Sequence, residues 1–351
     1  MTLPLPQVNE HLRLDLADFP VSVAFSPRLP LLGIALSDGE LALVDVANAR
    51  LQQRLAAHTD SLHRLCWHPD GALLTSCDRQ GNIRHWQVGT PVTAPLTPTG
   101  LWTSEQPWIE ACAWRPDGRY LAVASGRQCQ LFDRAGHEMH CVTFENSAIA
   151  DIAWNPRGTE LALAGYRGVD LISGAGKALR RRTLPWTGAL GTLSWSPNGR
   201  ILAACRQDNA LHFWRVSSGR HAAMSGYPTK PRALAWSADS TYLVTGGSPA
   251  AITWTFAAGG PEGQPPVQLE LHMEPVTAVA VDPRLHFVAV GCRGQRISLW
   301  HSAVAALPFF ETTLPAPVEF LGWQAAGPGA SWLAALDRSG HVGVWRVSCP
   351  V

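Results

Sequence analysis

Short apolar runs of about 4–6 residues, bounded by Gly, Asp or Pro, follow one another along the chain and predict strands rather than helices. One pattern recurs. An apolar run ends on an aromatic residue and enters a turn of Pro, Asp, Asn or Gly. It reads Ala24-Phe25-Ser26-Pro27, Cys66-Trp67-His68-Pro69-Asp70-Gly71 and Ala113-Trp114-Arg115-Pro116-Asp117-Gly118. It returns as Ala153-Trp154-Asn155-Pro156-Arg157-Gly158, Ser194-Trp195-Ser196-Pro197-Asn198-Gly199 and Ala235-Trp236-Ser237-Ala238-Asp239-Ser240. Ala280-Val281-Asp282-Pro283 and Gly322-Trp323-Gln324 are weaker copies. Successive anchors lie 42, 47, 40, 41, 41, 45 and 42 residues apart.

That period is the length of a four-stranded propeller blade. Each unit repeats one internal order: an apolar first run before the turn, a second run after it, and a third that often ends in Trp. Examples of the third are Ile83-Arg84-His85-Trp86, Leu211-His212-Phe213-Trp214, Ile297-Ser298-Leu299-Trp300 and Val342-Gly343-Val344-Trp345. A more polar fourth run, such as Leu51-Gln52-Gln53-Arg54-Leu55, leads to the next anchor. With its W-x-P-[DN]-G turns and third-strand tryptophans, the chain resembles the WD40-repeat family throughout. The resemblance implies an all-β fold and a single propeller domain over residues 1–351. Its terminal Trp-Asp appears as Val44-Asp45, Phe132-Asp133, Trp86-Gln87, Trp214-Arg215, Trp300-His301 and Trp345-Arg346. The opening Gly-His survives only as Ala57-His58 and Leu271-His272. The family's His–Ser/Thr–Asp–Trp hydrogen-bond network is therefore expected to be mostly absent, with apolar packing in its place.

Anchor counting gives eight blades, with seven, the commoner family outcome, as the alternative; the doubtful anchors are Val281 and Trp323. The chain ends at Val351, soon after the third run of the last unit. His11-Leu12-Arg13-Leu14-Asp15-Leu16 alternates apolar and polar residues, so residues 11–16 are expected to supply the missing outer strand and close the ring.

Composition narrows the function. Lys+Arg 28 against Asp+Glu 27 leaves a net charge of +1, which argues against a nucleic-acid binder. No apolar run reaches the ~18 residues of a membrane span. MTLPLPQVNEHLRL lacks a basic stretch followed by an apolar one, and the 8 cysteines form no C-x-x-C pair. Both point to the cytoplasm, with the thiols reduced and packed as small hydrophobes.

Candidate chemistry is sparse. Gly174-Ala175-Gly176-Lys177 has the look of a phosphate loop, but Leu171 stands where its first glycine belongs and Ala178 where Ser or Thr belongs. A tight turn is the better reading. His58, His63 and His68, and His137, His140 and Cys141, are of zinc-ligating types, yet neither group completes four ligands. His58 is assigned the family's structural role. No catalytic residue, metal or cofactor is expected.

The most informative pattern lies on the hairpins between second and third runs. Six of eight carry arginine: Arg79, Arg127, Arg167, Arg206, Arg293 and Arg338. In a propeller these hairpins reach one face. The loops entering each first run should join them there, bringing Phe19, Trp102, Trp108, Trp186 and Tyr227, with Trp102 and Trp108 in a Pro/Thr-rich insertion from Gly89 to Trp108. A second insertion, Ala257 to Pro266, is read as a flexible loop on the opposite face. Arginine offers a planar fork to carboxylates and phosphates, and aromatics anchor interfaces. The expected function is a protein-interaction scaffold, a monomeric propeller within a complex, that binds an acidic partner segment through this Arg/aromatic face. The alternative is an enzyme or metal-handling accessory protein that uses the central channel.

Overall fold

Each anchor tryptophan ties its unit to the one before. The indole N–H of Trp67 donates to the carbonyl of Ala24 at 2.9 Å, and Trp154 and Trp195 repeat this to Ala113 and Ala153 at 3.1 Å. Trp236 and Trp323 do so to Ser194 and Ala280 at 3.4 and 3.3 Å. Every acceptor is the residue just before the preceding unit's anchor. Trp114 departs from the rule and donates to the Thr75 hydroxyl at 2.9 Å.

The computed structural model describes residues 6–175, 178–270 and 273–349, and of Ala258 only the backbone. It is an all-β propeller of antiparallel strands; the one helical turn among the described residues is Ala257–Gly259. The first sheet holds Pro20–Phe25, Leu31–Leu36, Glu40–Asp45 and Arg50–Ala56. The second holds Leu62–Trp67, Leu73–Asp78, Asn82–Gln87 and Thr97–Thr103, and the third Ile109–Trp114, Tyr120–Ser125, Gln128–Asp133 and Glu138–Thr143. Strands inside each sheet are buried on both flanks, hence their runs of Val, Leu and Ala.

The sheets number seven, not the eight expected from the anchors. The merger is not at the weak anchors: Val276–Val281 and Val318–Ala325 each begin an ordinary four-stranded sheet. It joins the fourth and fifth units into one six-stranded sheet from Asp151–Trp154 to His221–Met224. In that sheet Glu160–Ser173 passes through left-handed residues Arg167 (φ 73°) and Gly168 (φ 124°). Arg180–Trp195 then pairs first with Glu160–Ser173 and later with Ile201–Arg206. The physical reason is the connection: strand continues through Trp186–Ala189 where other units insert a loop.

The last sheet takes its outer strand from the N-terminal segment. Gln7–Asp15 pairs antiparallel with His341–Ser348, from Gln7 opposite Ser348 to Asp15 opposite His341. Hydrophobic wedges fill the spaces between neighbouring sheets. One packs Leu32, Ile34 and Leu36 of the first sheet against Trp332, Leu336 and Val344 of the last. The turns after the anchors are linked too. The side chains of Ser26, His68 and Arg115 bond the carbonyls of Gly71, Gly118 and Gly158 at 3.1, 3.0 and 2.6 Å. Gly118 has φ 72°, and a Cβ there would collide with the His68 ring, so glycine is required on both counts.

The first insertion supplies a strand, and the second is more ordered than expected. Thr97–Thr103 of the first is the second sheet's outer strand. The second is held to the fifth unit by Arg215, whose Nη1 and Nη2 donate to Glu262 Oε1 and Oε2 at 2.6 and 2.8 Å.

Removal of residues 1–15 should strip the partner from His341–Ser348 and present an open strand edge. We expect a lower melting temperature and concentration-dependent self-association by size exclusion. Unchanged melting with monomeric elution would mean that the strand contributes nothing to the sheet.

Candidate functional site

The turns between second and third strands meet the connectors that enter the first strands. Trp108 N–H donates to the Arg79 carbonyl at 2.9 Å, Phe144 N–H to Arg127 at 2.7 Å, and Gln207 N–H to Ala189 at 3.2 Å. The same arrangement puts Arg293 N–H on Pro275 and Arg338 N–H on Pro317, at 3.0 and 2.9 Å. These bonds assemble a rim from turns and connectors.

The arginines on this rim have different surroundings. The Arg79 guanidinium lies 5.2 Å from the centroid of Trp108, which is 52% exposed. Arg167 lies over its neighbour Tyr166 at 5.9 Å. Arg127 reaches the Phe144 carbonyl at 3.2 Å and pairs with Glu145 at 3.7 Å. Arg206 pairs with Asp208 and covers the Trp186 ring at 4.5 Å. Arg338 Nε donates to Glu319 at 3.0 Å. Arg293 and Arg338 line a cavity of about 740 Å³ together with Lys230, Arg232 and Glu319. Lys230 donates to Gln207. Arg232 and Arg293 form no ion pair among the described residues.

Three of the expected aromatic anchors are engaged in packing. Trp102 is on the outer strand of the second sheet, stacked on His85 at 3.9 Å between ring centroids. Trp186 lies within a strand and stacks on His212 at 3.9 Å. Tyr227 is only 7% exposed. Its hydroxyl meets Thr245 Oγ1 at 2.7 Å and accepts the Trp254 indole N–H at 2.6 Å. Burial raises its pKa. These residues are occupied in packing, so of the aromatics named for the rim in this way Trp108 alone combines wide exposure with an arginine neighbour.

The polar network expected to be mostly absent is kept in one sheet. In the second sheet His58 Nδ1 bonds Asp78 at 2.9 Å and Nε2 bonds Ser76 at 2.8 Å, while the Trp86 indole donates to Ser76 at 2.9 Å. The full four-residue network is thus present there. Burial lowers the His58 pKa, partly offset by Asp78. Tyr227 and Thr245 stand 18 residues apart, as His58 and Ser76 do. Tyr227 therefore replaces the histidine with its own hydroxyl in the sixth unit, and the spacing is the sequence signal that identifies it. At the corresponding place in the fifth unit stands Trp186. Ala204 replaces the serine, and the buried Trp214 indole N–H has no hydrogen-bond partner among the described residues.

The other candidates disperse. His68 bonds Gly118, and His137 bonds Asp133 at 3.1 Å. Among the described residues no group of three or more His, Cys, Asp or Glu is placed to hold a metal ion. Gly176, Lys177 and His272 lie outside the described residues.

These features define a propeller built from copies of one strand plan. The chain carries WD40 repeats: the family described as WD domain, G-beta repeat matches residues 49–87, 98–133, 181–215 and 263–301. Over 314 residues the chain is 24% identical to Telomerase protein component 1 of Rattus norvegicus, a match that covers 83% of this chain and 11% of that protein. It is 28% identical to Protein CIA1 of Arabidopsis thaliana over 116 residues, 31% of each chain. The chain thus spans well under half the length of these relatives. Among solved structures, Sqt1 of Saccharomyces cerevisiae aligns with TM-score 0.77 at 14% identity, covering 97% of this chain and 99% of that one. The computationally designed Ika8 protein aligns with TM-score 0.77 at 17% identity, covering 96% and 99%. WD40 propellers generally act as non-enzymatic scaffolds for protein partners.

Two outcomes follow for the packed residues. Tyr227→Phe should lower unfolding stability by about 1–3 kcal/mol, because it leaves the buried Trp254 N–H without an acceptor; denaturant melts measure this. Acid should also weaken the fold. Burial pushes His85 down to about 4 and His212 to about 3, His212 with help from His221 and Arg206. Below the ordinary value of about 6.5 the unfolded chain takes up these protons and the folded chain does not. Stability is therefore complete above that value and falls, by up to about 1.4 kcal/mol per pH unit for each histidine, as pH drops towards 4. The slope of stability against pH should be shallower in His212→Gln.

Proposed function

We propose that the protein is a cytoplasmic interaction scaffold that binds an acidic segment of a protein partner at the rim of turns and connectors. The observation that carries this reading is the cavity lined by Lys230, Arg232, Arg293 and Arg338 against one carboxylate, Glu319. The whole chain has a net charge of only +1, so positive potential of this kind is local. Arg232 and Arg293, with no ion pair among the described residues, offer forks to carboxylates, and field lines in a concave site strengthen the attraction. Arg79 with Trp108 adds an exposed cation and ring to which an apolar residue of the same segment can pack.

The six hairpin arginines divide under this reading. Arg293 and Arg338 form the charged pocket with Lys230 and Arg232. Arg79 and Arg167 present guanidinium over aromatic faces, and Arg127 and Arg206 are held by neighbours. We also infer that the N-terminal strand closes the ring and fixes the last sheet beside the first, which keeps the pocket wall rigid. In support, Gln324 Nε2 donates to the Ser26 carbonyl at 2.8 Å across these two sheets.

The test uses a fluorescent ten-residue polyglutamate peptide and the full chain. Binding should weaken steeply as salt rises. The double reversal Arg232→Glu, Arg293→Glu should lose about tenfold or more in affinity while surface-turn changes alter folding by only about 0.5 kcal/mol. Arg127→Glu, already paired, should change little. Absence of binding, or a double variant with wild-type affinity and salt dependence, would refute the acidic-segment reading.

A further inference from the structure

The inner strands of the second and third sheets carry a cluster of thiols that the binding rim does not use. Cys66 lies on Leu62–Trp67 and Cys112 on Ile109–Trp114, and their sulfurs are 3.3 Å apart. Both are half-buried, in contrast to the buried Cys77, Cys129, Cys205 and Cys292. They pack on the wedge between the two sheets, beside Cys77, Ile83 and Ile109. Two thiols on different sheets at near contact distance need only a small side-chain rotation to reach the ~2.05 Å of a disulfide bond.

We propose that Cys66 and Cys112 are an oxidation site that, on reaction with hydrogen peroxide, forms a disulfide joining the second and third sheets. The chemistry of the pair gives the two thiols different roles. Hydrogen bonds from Cys66 and Cys77 hold the Cys112 thiol below its ordinary range against the effect of burial, helped by the charges of Arg64 and His63. The thiol of Cys66 is pushed up, by its hydrogen bond to Cys112 and by burial. Cys112 is therefore the attacking sulfur. Its thiolate attacks one peroxide oxygen, the O–O bond breaks, and Cys112 becomes a sulfenic acid while the departing hydroxide takes a proton to become water. The Cys66 sulfur then attacks the sulfenic sulfur, the S–S bond forms, and its proton leaves with the hydroxyl as a second water. Two thiols lose two electrons and the peroxide is reduced to two waters. Cys77, fully buried against the same pair, donates to Cys112 and stays a thiol.

The staple would span a 46-residue separation in the chain. It would link the strand that follows Trp108 to the strand that precedes the turn at Gly71, adding a covalent bond to a contact that now rests on packing and on hydrogen bonds such as Trp114–Thr75, Arg64–Glu110 and His68–Gly118. Constraint of the unfolded chain then stabilises the oxidised form.

The experiment uses full-length protein with the exposed thiols removed, Cys141→Ser, Cys349→Ser, which leaves six cysteines of the 8. Before oxidation, maleimide labelling under denaturing, non-reducing conditions should count six thiols. After treatment with hydrogen peroxide it should count four. Mass spectrometry should find one cross-link, Cys66 to Cys112, and the melting temperature should rise and return to its starting value with dithiothreitol. Adding Cys66→Ser should abolish the cross-link and leave a sulfenic acid on Cys112 that dimedone traps; Cys66→Ala serves if the serine variant fails to fold. Six thiols retained after peroxide, a cross-link through Cys77 instead of Cys66, or a cross-link that appears only between molecules would each overturn the proposal.

Discussion

A single hydrogen bond, repeated around the propeller, sets the spacing on which the rest depends. On five inner strands an indole N–H reaches the backbone carbonyl just before the preceding unit's own anchor. A bulky ring with one donor suits this position, since the ring fills the wedge between sheets while the N–H finds a backbone acceptor on the neighbouring sheet. Where the donor is missing, another group takes over. Phe25 has no N–H, and at that junction Gln324 crosses to the Ser26 carbonyl. Trp114 has found a hydroxyl on Thr75 instead, and that is also the junction at which two cysteines come together.

Within the sheets, polar networks vary while the backbone plan does not. The second unit keeps histidine, serine, aspartate and tryptophan in one buried chain of bonds. The sixth reaches a similar end with a tyrosine hydroxyl between a threonine and an indole. The fifth dispenses with it: Trp186 stacks on His212, and the neighbouring Trp214 N–H has no hydrogen-bond partner among the described residues. Burial of large rings evidently supplies enough packing to tolerate the unpaired donor, whose penalty is of the order of 1–3 kcal/mol. This explains how the repeat can drift so far from its family pattern and still fold.

The repeat period and the anchor turns make the fold legible, because each unit buries its strands in the same way and leaves the same apolar signature. The outer strand from the N-terminal segment is legible too, from the alternation of Leu12, Leu14 and Leu16. The sheet count is not, because nothing in local composition around Trp186–Ala189 distinguishes a continued strand from a short loop. The site is half legible. The hairpin arginines stand out, but which of them are free depends on carboxylates such as Glu145, Asp208 and Glu319 brought in by the fold. Lys230 and Arg232 escape notice because they lie on connectors, which share no common residue from unit to unit. Tyr227 misleads when judged by residue type; its distance to Thr245 carries the answer.

The shared sheet of the fourth and fifth units gives the molecule a direction of stiffness. Elsewhere a loop separates the outer edge of one unit from the inner strand of the next, and a displacement at the perimeter is absorbed there. From Arg180 to Trp195 one strand runs from unit to unit, pairing through Arg180–Pro185 with Glu160–Ser173 and from Leu190 to Trp195 with Ile201–Arg206. A load applied at the outer residues Arg180–Arg182 is therefore carried as through a spoke to the hub at Leu193–Trp195. The fourth and fifth units are therefore expected to move together, where other neighbours can shift at the loops that join them.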